Sequence, residues 1–214
     1  MNVIKANVYG NPNIGLYGFA NNKYCLLGKE VPKKVAKDTS EILGVPVHQL
    51  NICGTSMVGI FLAGNDNCLL VPELAFEKEL HQLDRLKIKY KVIKTKLTAL
   101  GNNILCNNKG CLVNPDFSAD TKKEIRKALN VPLKPGKIAS LETVGSLGAA
   151  NDMGAIVHNY ISKGELHYIE ELLKVKVSPL TLNLGNPYIR SAIIVNNAGF
   201  AAGEKSSGVE INRA

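Results

Sequence analysis

The residues of this chain with chemical potential are five cysteines, four histidines and an excess of basic side chains, 26 against 18 acidic ones. Cysteines can supply a nucleophile, a redox pair or a zinc set, and their placement here argues for none of these. Cys25, Cys68 and Cys111 fall 43 residues apart, each followed by two apolar residues, and the matching positions further on hold Ala155 and Phe200. A position that takes Cys, Ala and Phe in turn behaves as a buried apolar site, not as a ligand. Cys106 and Cys111 lie close together, but no second pair completes a zinc set. An odd cysteine count behind an N-terminus (Met1-Asn2-Val3-Ile4-Lys5) without a signal-peptide apolar core argues against a disulfide framework and for a cytoplasmic protein.

The histidines are scattered: His48 on a strand, His81 and His167 on helices, His158 after a strand. Only His158 has a carboxylate or second histidine at ligand spacing, and nothing else in its unit fits a metal. No G-x-x-x-x-G-K-[ST] loop occurs, and no G-x-G-x-x-G lies between a strand and a helix. The chain is therefore expected to need no metal, nucleotide or other cofactor, and not to be an enzyme.

Lysine is the remaining chemistry. The net charge of +8 points to an acidic partner, nucleic acid first. In Arg85–Lys96, Lys87, Lys89 and Lys91 alternate with Ile88, Tyr90 and Val92, so one strand face is cationic. Such lysines can meet phosphate, and they also guard an exposed strand against edge pairing. Lys122, Lys123, Arg126 and Lys127 form a second cluster on a helix.

The elements that carry these residues repeat. Ala20–Leu27, Ala63–Leu70, Cys106–Val113, Ala150–Val157 and Val195–Ala202 align, and their turn positions Tyr24, Asn67, Gly110, Gly154 and Gly199 step by 43, 43, 44 and 45 residues. A second marker keeps the beat at Leu43, Leu86, Leu129 and Leu173. Each unit reads strand, Asn-rich turn, strand, helix, strand. Ser162-x-x-Glu165 and Thr121-x-x-Glu124 read as capping boxes. Apolar stripes follow at helical spacing: Leu166, Ile169, Leu172 and Leu173; Phe76, Leu80 and Leu83; Val35, Thr39, Ile42 and Leu43. A helix in every unit excludes an all-β propeller, and the hairpin excludes a helical solenoid. A unit this short cannot bury its apolar face alone. The expected fold is α/β, a closed ring of five units in one domain, with repeats near 11–53, 54–96, 97–140, 141–184 and 185–214. The fifth unit lacks its last strand, and residues 1–10 have the apolar character to supply it. Ser207 should cap a fifth helix of two turns at most.

Polar and glycine residues precede the first strand of each unit: Asn13-Ile14-Gly15, Thr55–Gly59, Thr98–Asn102, Thr143–Ser146 and Tyr188–Ser191. In a ring they gather at one end. The glycines suit strands crowding an axis, and their differing neighbours suit a docking face.

The chain resembles translation initiation factor six of archaea and eukaryotes over essentially its whole length. The resemblance rests on Leu97–Asn102, Cys106-Asn107, Leu112–Asp116, Val144-Gly145-Ser146, Gly64-Asn65 through Pro72, and Ser206–Glu210. It implies a pentein, the five-bladed α/β propeller, and no catalysis. It also implies binding to the large ribosomal subunit beside the sarcin–ricin loop and neighbouring ribosomal proteins. That blocks the small subunit sterically and takes part in large-subunit maturation. Carried over by position, the contact residues are Gly15, Ser56, Asn102, Ser146 and Arg190. Ser56 and Leu147 stand where eukaryotic members tend to carry bulkier side chains, and the long C-terminal tail of those members is absent. A monomer is expected. The competing readings are a guanidino-group-modifying enzyme on the same ring and a generic RNA-binding module. The enzyme would need a late cysteine nucleophile, whereas the last cysteine here is Cys111.

Overall fold

A computed structural model describes residues 2–214. Five three-stranded sheets stand around a central channel. In the first sheet the inner strand Gly18–Ala20 runs antiparallel to the middle strand Cys25–Gly28, and helix Lys33–Leu43 crosses over to the outer, parallel strand Val47–Leu50. A hairpin followed by a crossover is the connection such mixed pairing requires. The second sheet repeats it with Ala63–Gly64, Leu69–Pro72, helix Glu77–Arg85 and Tyr90–Ile93. The third uses Ile104–Cys106, Cys111–Val113, helix Ala119–Leu129 and Leu133–Pro135. The fourth uses Gly148–Ala150, Gly154–His158, helix Lys163–Leu173 and Lys176–Leu180.

The fifth sheet closes the ring. Its inner and middle strands are Ile193–Val195 and Gly199–Gly203, and its outer strand is the N-terminal segment Asn2–Ala6, in register from Asn2 opposite Gly199 to Ala6 opposite Gly203. The middle strands of the first, second, third and fifth sheets are buried throughout, which is why they read as unbroken small-apolar runs in place of alternation. Cys25, Cys68, Cys111, Ala155 and Phe200 are all buried, as their shared repeat position requires.

Helix starts differ in part from the sequence reading. Ser162 and Ser207 cap their helices with Glu165 and Glu210 in reciprocal boxes. Thr121, however, caps nothing. Ser118 is the cap and accepts from the Thr121 amide at 3.1 Å, so Thr121 lies buried inside the first turn and Glu124 faces solvent. Two hydroxyls three residues apart both fit a cap, and Ser118 precedes the turn that forms. Phe76 is likewise no part of the helix stripe. It sits at the cap position, half exposed, while the Glu79 carboxylate turns inward to take the Phe76 amide at 2.9 Å. That carboxylate also takes the Cys53 and Gly54 amides of the tight turn leaving the first sheet, at 2.8 and 2.9 Å. Glu165 repeats this with Ser140, and Glu210 with Leu184 and Gly185. Each cap thus also ties one unit to the unit before it.

Candidate functional site

Every inner strand ends in an asparagine turn, so one end of the channel is ringed by Asn21, Asn65, Asn107, Asn151 and Asn196. Each Nδ2 donates to the backbone carbonyl of the next asparagine in the ring, at 2.9–3.3 Å, and Asn196 closes the circle on Asn21. Each Oδ1 accepts amides from its own turn. The following residues, Asn22, Asp66, Asn108, Asp152 and Asn197, form a second belt. Each backbone amide there donates to Oδ1 of the next side chain, again through the full circle. Hydrogen bonds from Asn197, Asn108 and Asn22 outweigh the desolvation that would raise the Asp152 pKa, and hold it below the usual carboxylate range. These carboxylates are fully engaged by amides, so their chemistry is structural.

At the opposite end the chain makes one tight turn before each inner strand. Gly15, Gly59, Gly101, Gly145 and Arg190 occupy equivalent positions there. A Cβ on Gly59 would lie 2.0 Å from the Gly15 carbonyl oxygen; on Gly101, 2.1 Å from that of Gly59; on Gly145, 2.2 Å from that of Gly101. The backbones touch around the axis, and only glycine permits it. The fifth position carries a side chain. The Arg190 amide donates to the Ser146 carbonyl at 3.2 Å, and its guanidinium runs into the channel, where Nη2 lies 3.5 Å from the Leu62 carbonyl and Nε has no protein partner. Burial lowers the Arg190 pKa, and the channel thiol Cys106 opposes this. The Cys106 thiol donates to the Gly64 carbonyl at 3.1 Å; its hydrogen bond with Cys111, more than any other cause, lowers its pKa.

Above this glycine ring lies an open depression of about 390 Å³. It brings together four of the sequence-derived contact residues, Gly15, Asn102, Ser146 and Arg190. Ser56 is elsewhere. It is buried, its Oγ donating to Asn51 Oδ1 at 3.0 Å and accepting from the Glu30 amide at 3.2 Å. Its carbonyl oxygen lies where a Cβ on Gly28 would be, 2.0 Å away, so it braces the first sheet and offers no surface. Gly59, Thr143, Tyr188 and Ser191, from the segments read as a docking face, also line the depression, and so does Leu16, which lies just outside them. The repeat held the signal, since Leu16, Ile60, Asn102, Ser146 and Ser191 share one position of the turn. That position is apolar over the first two units and polar over the last three.

The basic run lies towards the asparagine end. The strand covers only Tyr90–Ile93, and Lys87 turns the chain out of its helix with φ +56°. Lys87 and Lys89 therefore stand on a link and not on a cationic strand face, although all three lysines are exposed. Lys91 lies 3.9 Å from Glu124. His158 is the last residue of its strand, not beyond it; its Nδ1 accepts the Tyr160 amide at 3.1 Å and burial lowers its pKa. His167 does have a carboxylate one turn away, Glu171 at 3.2 Å, but both are exposed. Among the described residues no group of three or more His, Cys, Asp or Glu side chains could hold a metal, and no helix is long and apolar enough to cross a membrane.

The five-fold ring of βαβ sheets defines a pentein. Solved structures agree: the N-terminal domain of ArgZ, an arginine dihydrolase from cyanobacteria, superposes with a TM-score of 0.51 at 13% identity, over 78% of this chain and 68% of that one. At that identity the likeness speaks for the fold alone. The sequence profile of the eIF-6 family matches residues 3–214, and the chain belongs to that family. Translation initiation factor 6 of Saccharolobus islandicus is 36% identical over 216 residues, all of this chain and 97% of that protein. The proteins of the same name from Staphylothermus marinus and Methanococcus vannielii are 35% and 37% identical, over 100% and 98% of this chain and 96% and 95% of theirs. The family places the chain among translation initiation factors.

Proposed function

We propose that this protein binds the large ribosomal subunit beside the sarcin–ricin loop and adjoining ribosomal proteins, with its glycine end, and keeps the small subunit off by occupying the joining surface. In this reading it acts as a cytoplasmic monomer, without metal or nucleotide, and takes part in large-subunit maturation. The observation that supports it most is the depression, where Asn102, Ser146 and Arg190 meet on one surface around the glycine ring. A chain of net charge +8 is drawn to ribosomal RNA at long range, and the polar half of the depression then offers short-range contacts. Cosedimentation with purified subunits tests it. The protein should travel with large subunits and reduce formation of joined ribosomes, and Asn102→Lys should abolish both. An outer-helix change such as Lys123→Glu should leave them nearly intact. Equal losses from the two variants, or no cosedimentation, would sink the proposal. Citrulline or urea release from arginine derivatives would favour the guanidino-modifying enzyme instead, and equal affinity for free RNA the generic module.

A further inference from the structure

Four of the five equivalent positions at the glycine end are glycine, and the fifth sends the Arg190 guanidinium into the channel. A guanidinium stays protonated inside proteins, so the channel holds a full positive charge. Among the described residues no carboxylate lies within 4.0 Å of it: the ion pairs are Lys37 with Glu41, Lys91 with Glu124, Lys137 with Glu142 and His167 with Glu171. Arg190 Nε has no protein partner, and Nη2 meets the Leu62 carbonyl at 3.5 Å, the outer limit of a hydrogen bond. A buried charge without a counter-charge is strongly destabilising, and a buried donor without a partner calls for an ion or a water beside it.

The guanidinium borders a cavity of about 50 Å³ in the channel, several times the roughly 10–15 Å³ that one water needs. Buried Phe19, Ala63, Ile104, Ala149 and Ile193 line it, and such low-dielectric walls strengthen any attraction to the charge. Cys106 is the one titratable neighbour that acts on the Arg190 charge. Its thiol, however, donates to the Gly64 carbonyl at 3.1 Å, and in that form it offers no counter-charge. Two carboxylates also border the cavity, Asp66 and Asp152, and both are held by the belt amides of Asn22, Asn108 and Asn197. The ammonium groups of Lys23 and Lys109 donate to the Asp66 and Asp152 carbonyls at 2.6 and 2.7 Å, so the belt is balanced in charge. The Arg190 charge is not.

We infer that the channel is a binding site for one small monovalent anion, a halide, that accepts from Arg190 Nε and neutralises the guanidinium. One unpaired positive charge sets the valence. The cavity volume sets the size: it takes an ion not much larger than a water and leaves no place for a phosphate or a nucleotide. The site is built by the ring itself, since only the fifth unit carries a side chain at this position and the other four supply the walls. It rests on the channel and not on the ribosomal reading, and it stands or falls independently of subunit binding.

The test compares the 214-residue protein in sodium chloride or bromide with the same protein in sodium gluconate at equal ionic strength, gluconate being too large for the cavity. Crystals soaked in bromide should show one anomalous-scattering site at hydrogen-bond distance from Arg190 Nε. The chloride dependence of Tm should saturate, with a rise over gluconate of roughly 3–6 °C at about 15 times the Kd. Arg190→Gln, which keeps a polar end and removes the charge, should lose both the bromide site and the chloride dependence. Should that variant not fold, the bromide position and the saturating rise in the unmodified protein decide the matter. Bromide found only on the outer surface, or a chloride effect of equal size in Arg190→Gln, would overturn the inference. A channel bromide with no saturating rise in Tm would be an adventitious ion only, and would overturn it too. So would a chloride response that appears only in Cys106→Ser, because the counter-charge would then be the Cys106 thiolate.

Discussion

At the asparagine end, Asn21, Asn65, Asn107, Asn151 and Asn196 make the same bond five times over. At the glycine end, one equivalent position carries Leu16, Ile60, Asn102, Ser146 and Ser191, and another carries four glycines and Arg190. Both ends derive from the same repeat and both adjoin the channel. The difference follows from what each must satisfy. Closing the ring poses one problem five times, the pairing of buried turn amides and carbonyls, and one side chain solves it everywhere. A surface that meets an asymmetric partner gains nothing from five-fold symmetry. Uniform positions therefore mark what holds the ring, and the positions that break the pattern above an unchanged backbone mark what the ring presents.

The largest expected effect comes from breaking the one feature of the glycine end that is symmetric. Gly59→Val places a side chain where the Gly15 carbonyl oxygen stands 2.0 Å from the new Cβ. Neither backbone can withdraw without moving its neighbours round the ring, so a loss of more than ~4 kcal/mol, or no soluble folded protein, is expected. Gly154→Ala at the other end, with nothing within 3.8 Å, should stay within ~0.5 kcal/mol. Urea unfolding of the pair measures the contrast. Similar stabilities would mean the glycine ring is not close-packed.

Removing residues 1–10 comes next. The segment loses five paired positions to the fifth sheet and the buried Ala6 and Val8, while Val3 is exposed and Ile4 half-buried. A loss of about 2–4 kcal/mol is expected, since a fully buried Val alone contributes ~1.5–3 kcal/mol. The asparagine belts bridge the same seam through Asn196 and Asn197, so the shortened chain should still fold. A truncated protein that melts like the intact one would show that the belts close the ring unaided.

Asn107 and Asn102 set the two ends against each other with one residue type. Asn107 donates two bonds at 3.0 Å, to Asn151 and Leu173, and accepts the Lys109 and Gly110 amides at 2.9 Å. Asn107→Ala should cost about 2–4 kcal/mol, because it strands buried partners, and should leave subunit binding of the folded fraction unchanged. The Asn102 side chain makes no hydrogen bond among the described residues. Asn102→Ala should therefore change stability by less than ~0.5 kcal/mol and weaken binding. If both variants lose stability equally, the division between a holding end and a presenting end fails.

That division was only half legible in the sequence. The five-unit ring, its closing strand and the Ser162 and Ser207 caps follow from local patterns repeated on one beat. The asparagines, by contrast, have a sufficient local reason to be in turns, and nothing in a single turn shows that four of the Nδ2 groups reach a carbonyl some 42–45 residues away and the fifth one 175 residues away. Glu79 was hidden for the same reason: its carboxylate looks outward on the helix pattern but is drawn in by the Cys53 and Gly54 amides. Ser56 was placed on the docking face by family position, whereas its bonds to Asn51 and Glu30 turn it into the wall. Only Arg190, alone among four glycines, announced itself as an exception.

The belts also predict an acid limb. Asp152 has its pKa lowered in the folded protein, so it contributes stability above its unfolded value of about 3.9, and that contribution disappears as pH falls through and below this value. Glu165 and Glu210, also lowered by amide bonds that outweigh desolvation, add to the same limb. Asp152→Asn should therefore lose less stability than the unmodified protein between pH 6 and about pH 3. Parallel losses in the two proteins would mean that the belt does not hold a charged carboxylate.

The smallest effect is expected from Lys87, Lys89 and Lys91, and it decides which end docks. These exposed side chains lie toward the asparagine end, away from the depression. If the glycine end meets the ribosome, they act only through the long-range field. Changing all three to Ser should then slow association severalfold at low salt and change little near physiological ionic strength, where the screening length falls to about 8 Å. Dissociation should be unaffected, because no contact made in the complex has been removed. Direct phosphate contacts would behave differently: the slope of log affinity against log salt would fall by roughly one per lysine, and dissociation would speed up. A triple variant that loses binding at every salt concentration, beside an Asn102→Ala protein that binds normally, would put the docking surface at the end where the asparagines close the ring.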